Sequence, residues 1–110
     1  ATVADLLDAG RDEIARRGKV EPGNRTMLDA LAPAAAAFRA AADRGTPVGG
    51  CLAVAAAAAD AGATSTAAME ATTGRAGWLA DRARGHEDAG ARLIAVVLDA
   101  AARAVGEPAA

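Results

Sequence analysis

Aromatic side chains are nearly missing from this 110-residue chain: Phe38 and Trp78 stand alone, and there is no tyrosine. A core built around stacked rings is therefore excluded. Alanine supplies most of the 53% hydrophobic content; it favours helix and buries little area per residue. The composition allows helices that approach one another closely through small side chains. Cysteine is equally scarce. Cys51 has no partner in the chain, so no internal disulfide can form, which fits a reducing compartment. It lies in an apolar segment and reads as a small buried side chain. Net charge is −2, and Lys19 and His86 are the only residues of their types. There is no basic run and no basic–aromatic stripe, which argues against a nucleic-acid partner. No leader with a charged start and an apolar run is visible. The apolar run from Cys51 to Ala59 is too short to cross a bilayer. The expectation is a soluble cytoplasmic protein with no membrane partner, one domain over residues 1–110, and a loose tail at 107–110.

Chemical motifs are also missing. There is no Walker loop with its lysine and no glycine-rich dinucleotide fingerprint after a strand. No serine sits in a nucleophile elbow. His86 has no activating partner and no metal-ligand spacing, so it supports a loop rather than catalysis. No clustered carboxylates suggest a divalent-metal site. No catalytic residue and no metal ligand is assigned within the chain.

What is present is helical. Val3, Leu6, Leu7, Gly10 and Ile14 recur at helical spacing and predict a first helix ending near Gly18, a good left-handed terminator. A second is predicted from about Arg25 to Asp43, with Met27, Leu28, Leu31, Ala35 and Phe38 as its stripe, i,i+4 pairs Arg25–Asp29 and Arg39–Asp43, and a kink at Pro33. A third begins near Pro47 or Val48 and reaches toward Thr72, with Gly62 as a bend. A loop with Gly74 and Gly77 follows, where Trp78 either anchors the turn, the favoured reading, or packs as a lid against a purine. The fourth starts after Asp88 and runs to about Val105, burying Leu93, Ile94, Val97, Leu98, Ala101 and Val105, with Arg92, Asp99 and Arg103 facing away. No alternating strand pattern survives, so the fold class is all-α.

Two helix starts stand out. Pro22-Gly23-Asn24-Arg25-Thr26 is a rigid turn followed by a capping side chain, Asn24. Asp88-Ala89-Gly90 reads as a second cap. Unpaired N–H groups in the first turn of a helix attract anions. With Arg82 and Arg84 nearby, these starts suggest a phosphate-bearing ligand. Ordinary capped helices and a solvated charged loop account for the same residues, and Met27 and Met69 fit a core as readily as a ligand contact.

Three collinear segments carry a resemblance. Gly18-Lys19-Val20-Glu21-Pro22-Gly23-Asn24-Arg25-Thr26-Met27-Leu28-Asp29-Ala30-Leu31, Ala61-Gly62-Ala63-Thr64-Ser65-Thr66-Ala67-Ala68-Met69 and the stretch from Gly74 to Ala91 resemble, in order and spacing, the L subunit (DhaL type) of dihydroxyacetone kinases or the equivalent nucleotide domain of their single-chain forms. The resemblance implies an antiparallel eight-helix barrel of which this chain is the C-terminal half. It implies ADP or ATP as ligand, with Gly18, Thr26, Met27, Arg82, Asp88, Ala89 and Gly90 at the matching contact positions, and Met27 packing on a purine. It further implies phosphoryl transfer to dihydroxyacetone or a related short ketose held on a separate K unit, with ATP or a phosphocarrier protein as donor. Asn24 stands where the family has aspartate, Gly77-Trp78 for Ser-Tyr, Ala83 for serine and Ala89 for proline, which leaves that last helix start less preorganised. The family's magnesium-binding aspartates lie in the half not matched here, so magnesium ligands are expected from outside the chain. Half a barrel exposes apolar stripes that demand the other half or a second copy. A non-catalytic regulatory module acting through protein contacts, and a purely structural bundle, are the other two readings.

Overall fold

The computed structural model describes residues 2–69 and 85–106. It contains helices α1 (Val3–Gly18), α2 (Leu28–Asp43) and α3 (Val48–Ser65), a 3-10 turn (Thr66–Ala68), and α4 (Ala89–Gly106). No strand occurs among the described residues. Trp78, Arg82, Arg84, the glycine loop and the expected tail at 107–110 lie outside them.

Each helix has a local reason to begin or end where it does. Thr2 opens α1 with a capping box: its hydroxyl accepts from Asp5 N–H, and the Asp5 carboxylate accepts from Thr2 N–H, both at 3.1 Å. The left-handed residue that ends α1 is Lys19 (φ 53°), not Gly18. The second helix starts at Leu28, three residues later than expected, because Arg25 is itself left-handed (φ 62°) and breaks the helical run. The third passes straight through Gly62 and stops at Ser65; Met69 is extended.

The helices alternate in direction. Gly62 near the end of α3 meets Asp29 and Ala30 at the start of α2, and Gly49 at the start of α3 meets Gly106 at the end of α4. Arg39, toward the end of α2, pairs with Asp5 and Asp8 on the first turns of α1 rather than with Asp43. The order in space is α1, α2, α3, α4, with α2 also touching α4. The molecule measures 50 × 28 × 17 Å. α2, α3 and α4 touch one another and α1 packs chiefly on α2, so this is a palisade with open outer faces rather than a closed barrel.

The core is alanine, as the composition demanded. Ala30, Ala34 and Ala41 of α2 meet Ala55, Ala59 and Ala63 of α3 and Ala91 and Ala95 of α4, with Phe38, Cys51, Leu52 and Leu98 filling between them. The α3 segment with its 3-10 turn (Val48–Ala68, mean hydropathy 1.3) is long and apolar enough to cross a membrane by length and composition; it is the central helix of the palisade, packed on both α2 and α4. The fourth helix buries only part of the stripe expected of it: Leu98 is buried, and Ile94 and Ala101 pack against the core. Leu93 is 59% exposed and Val97 55%, and Val105 is exposed as well. Leu6 of α1 is 67% exposed. Periodicity found an apolar face on each outer helix, but no element among the described residues covers it.

Pro33 and Gly62 form the closest point of the palisade. Pro33 has no N–H, so the Asp29 carbonyl four residues earlier loses its helical donor. Gly62 of α3 lies against that carbonyl: a Cβ there would sit 2.0 Å from the oxygen. A Cα–H takes its place and faces the oxygen. Gly62→Ala should destabilise the chain by about 2–3 kcal/mol, because the atoms a Cβ would crowd, Asp29 O and C and Ala30 Cα, all belong to backbone. Gly10→Ala, whose added methyl meets only Leu31 at 3.9 Å, should stabilise by about 0.5 kcal/mol. Thermal unfolding of the two variants checks the contrast.

Candidate functional site

Alternating direction places the end of α1, the start of α2, the end of α3 and the start of α4 at one pole. The two helix starts singled out in the sequence are therefore neighbours. A Cβ on Gly90 would lie 3.3 Å from Met27 Cβ and 3.4 Å from Met27 Cε. Arg25 reaches across the junction. Its Nη2 donates to the His86 carbonyl at 2.6 Å, and its Nη1 lies 3.9 Å from an Asp88 carboxylate oxygen.

The α2 start differs from the expectation in its donors. Asn24 does not cap the helix; its side-chain oxygen accepts from Glu21 N–H at 2.8 Å and closes the Pro22-Gly23 turn. Thr26 and Asp29 do the capping. The Thr26 hydroxyl accepts from Leu28 N–H at 3.1 Å, and the Thr26 carbonyl from Asp29 N–H. Ala30 and Leu31 donate to the Met27 carbonyl. The buried Asp29 carboxylate accepts from Gly23 N–H at 2.5 Å and Thr26 N–H at 3.0 Å. The first-turn N–H groups of α2 thus have partners within the chain, and a carboxylate already answers the positive end of the helix dipole.

The α4 start is different. Asp88 caps as expected, its carboxylate accepting from Ala91 N–H at 2.9 Å. Its own N–H donates to the hydroxyl of Thr66 at 2.8 Å, and that hydroxyl donates to the Ala63 carbonyl. The N–H groups of Ala89 and Gly90 have no partner among the described residues, and Ala89 is exposed. Of the two mouths, this one keeps donors for an anion.

Beside Met27 lies a cleft of about 400 Å³ lined by Glu13, Ile14, Arg17, Gly18, Val20, Thr26 and Met27. It brings Gly18, Thr26 and Met27 together, and Met27 links it to Gly90. A wider groove of about 590 Å³ runs along the flank between α3 and α4 and touches none of the residues singled out in the sequence. Sequence reasoning missed three residues that build the pole: Arg25, treated as a helical ion-pair partner of Asp29; Asp29 itself; and Thr66. The usable signal was the Pro-Gly-Asn turn, which makes a left-handed residue after it plausible. Among the described residues no cluster of three His, Cys, Asp or Glu side chains could hold a metal ion.

Ion pairs fasten both poles. At the site pole Arg92 does not face away: it bridges Glu87 and Asp60, tying the α4 start to α3. Hydrogen bonding from Arg92 holds the Glu87 carboxyl below its ordinary pKa. At the far pole Arg39 first, then the Thr2 cap, does the same for Asp5. On α1, Arg16 and Arg17 lower Glu13. A carboxyl whose pKa falls on folding contributes stability that is complete above its unfolded value and lost as pH drops through the folded value. Stability should therefore hold from pH 7 to about 5 and fall below about pH 4. All three groups are solvent-facing, so added salt should shrink the effect. Thermal melts across pH and salt check this, and melting temperatures that rise on acidification contradict it.

Comparison with known sequences shows the family of this chain. A family model described as DAK2 domain matches residues 1–103. The ADP-binding subunit DhaL of the PEP-dependent dihydroxyacetone kinase of Escherichia coli (strain K12) is 36% identical over 98 residues, 89% of this chain and 47% of that protein. The triokinase/FMN cyclase of Mus musculus is 37% identical over 99 residues, 17% of its length. The L-erythrulose kinase of Pectobacterium atrosepticum is 35% identical over 98 residues, also 17% of its length. The chain spans about half of DhaL and about a sixth of the other two. With three collinear motifs, an all-α palisade and a match over nearly every residue, the chain belongs to the DAK2 domain family.

Proposed function

We propose that this chain is the nucleotide-binding part of a dihydroxyacetone (glycerone) kinase, gripping the phosphates of ADP or ATP at the pole where α2 and α4 begin. The observation that carries the reading is the pair of unpartnered N–H groups at Ala89 and Gly90, set against Met27 and the cleft that holds Gly18 and Thr26. The kinase names of the relatives support it, and one of those names specifies ADP binding.

The chemistry follows from the asymmetry of the two starts. The α4 donors and its helix dipole attract phosphate oxygen. Met27 offers a polarizable apolar surface beside them, suited to a purine face. Thr26, its hydroxyl engaged with Leu28 N–H, shapes the rim. Arg82 completes the proposed contacts from outside the described residues, as do Asp88 and Ala89 from within. Magnesium, which would neutralise and align the phosphates, does not fit the described donor set, and its ligands are assigned to a segment beyond this chain. The acceptor would be a short ketose on a separate K unit, in the cytoplasm, with ATP or a phosphocarrier protein as donor. The uncovered faces of α1 and α4 would be closed by the other half of the barrel or by a second copy.

Calorimetric titration with ADP, with and without magnesium, tests the reading. Saturable binding by the chain, weakened at least about fivefold by Gly90→Val, is expected, since a branched side chain there meets Met27 and screens the α4 donors. Absence of ADP binding under both conditions contradicts it. Binding of a protein partner without any nucleotide response would favour the regulatory-module reading.

A further inference from the structure

Thr66 is fully buried and uses its hydroxyl in both directions, yet it lines neither the cleft nor the junction with Met27. As donor it satisfies the Ala63 carbonyl at 2.5 Å; as acceptor it takes Asp88 N–H at 2.8 Å. A hydroxyl donates and accepts at a single atom, and the isosteric valine side chain can do neither. The second bond has a consequence for α4. With its N–H turned inward onto Thr66, Asp88 is held where its carboxylate caps Ala91, and the next two N–H groups, those of Ala89 and Gly90, are left outward. Thr66, in the 3-10 turn, comes one helical turn after Gly62, the α3 residue that meets Asp29, and its hydroxyl bonds back to Ala63, the neighbour of Gly62. The α4 start is thereby referenced to the same stretch of α3 that meets the start of α2.

We infer that Thr66 is a positioning residue for the nucleotide: through Asp88 N–H it sets the aim of the Ala89 and Gly90 donors without touching the ligand itself. The inference rests on the nucleotide reading above. It makes affinity follow the hydroxyl rather than the volume or the stability of the side chain at this position.

Two substitutions separate those properties. Thr66→Val keeps the shape and removes the hydroxyl; Thr66→Ser keeps the hydroxyl and removes a buried methyl. Both should lower the melting temperature. ADP affinity should fall about tenfold in Thr66→Val, the loss of one well-placed hydrogen bond, and stay within about twofold of the parent in Thr66→Ser. Equal affinity in Thr66→Val and the parent, or affinities that fall in step with the two melting temperatures, overturns the inference while leaving nucleotide binding intact. A parent chain that binds no ADP overturns the nucleotide reading, and this inference with it. Hydrogen exchange on the unmodified chain gives a second readout. Asp88 N–H should be protected without nucleotide while Gly90 N–H exchanges fast and slows on adding ADP; a fast-exchanging Asp88 amide contradicts the inference whatever the variants do.

Discussion

The contact of Gly62 with the Asp29 carbonyl sets the spacing on which the rest of the palisade depends. It is prepared by two residues far apart in sequence. Pro33 strips the carbonyl of its helical donor, and Gly62 leaves room for that carbonyl to lie against α3. At that separation the seam between α2 and α3 is mostly alanine, and Ala30, Ala34, Ala55, Ala59 and Ala63 are all buried there. A chain nearly without aromatics has no other route to a dense core. Asp29 carries that carbonyl at the head of α2, and Thr66 follows the tail of α3 in the 3-10 turn. These are the two buried polar residues among those described, and each organises one loop of the pole.

The two helix starts that meet at this pole are unequal. One is closed by its own chain: Thr26 and Asp29 take the donors, and the carboxylate offsets the dipole. The other is capped only in part, with Asp88 turned inward onto Thr66. On the proposed reading, a ligand phosphate would meet one start that offers donors and a second that contributes shape, through Met27 and the cleft beside it. Arg25 locks the two together by reaching the His86 carbonyl and the Asp88 carboxylate. This division of labour follows from local hydrogen bonding and does not depend on which nucleotide is held.

Much of this was readable in the sequence, and the exceptions have physical causes. Helix existence, the all-α class and the Asp88 cap follow from periodicity and capping chemistry, which are local. The start of α2 was misplaced because Asn24 competes for a turn hydrogen bond as readily as for a cap, and Arg25 then adopts a left-handed conformation. Arg39 is expected to pair along its own helix and Arg92 to face away, whereas the fold offers both of them carboxylates on adjacent helices. Leu93 and Val97 were expected to be buried because a stripe at helical spacing signals a partner surface, but spacing says nothing about whether that partner belongs to the same chain. Thr66 was invisible because a buried hydroxyl bridging two elements leaves no pattern in sequence. Arg82 lies outside the described residues, and its role remains part of the proposal.

The central claim is that the starts of α2 and α4 touch. Its most direct measurement is a disulfide trap. With Cys51→Ser removing the native thiol, Met27→Cys and Gly90→Cys place their Cβ atoms about as far apart as a disulfide requires, since the Gly90 position lies 3.3 Å from Met27 Cβ and bridged pairs span about 3.5–4.5 Å. The account predicts rapid intramolecular cross-linking under mild oxidation, read as a loss of two thiols in a monomer by mass spectrometry. A folded double variant that keeps both thiols free, or links only between chains, would contradict it.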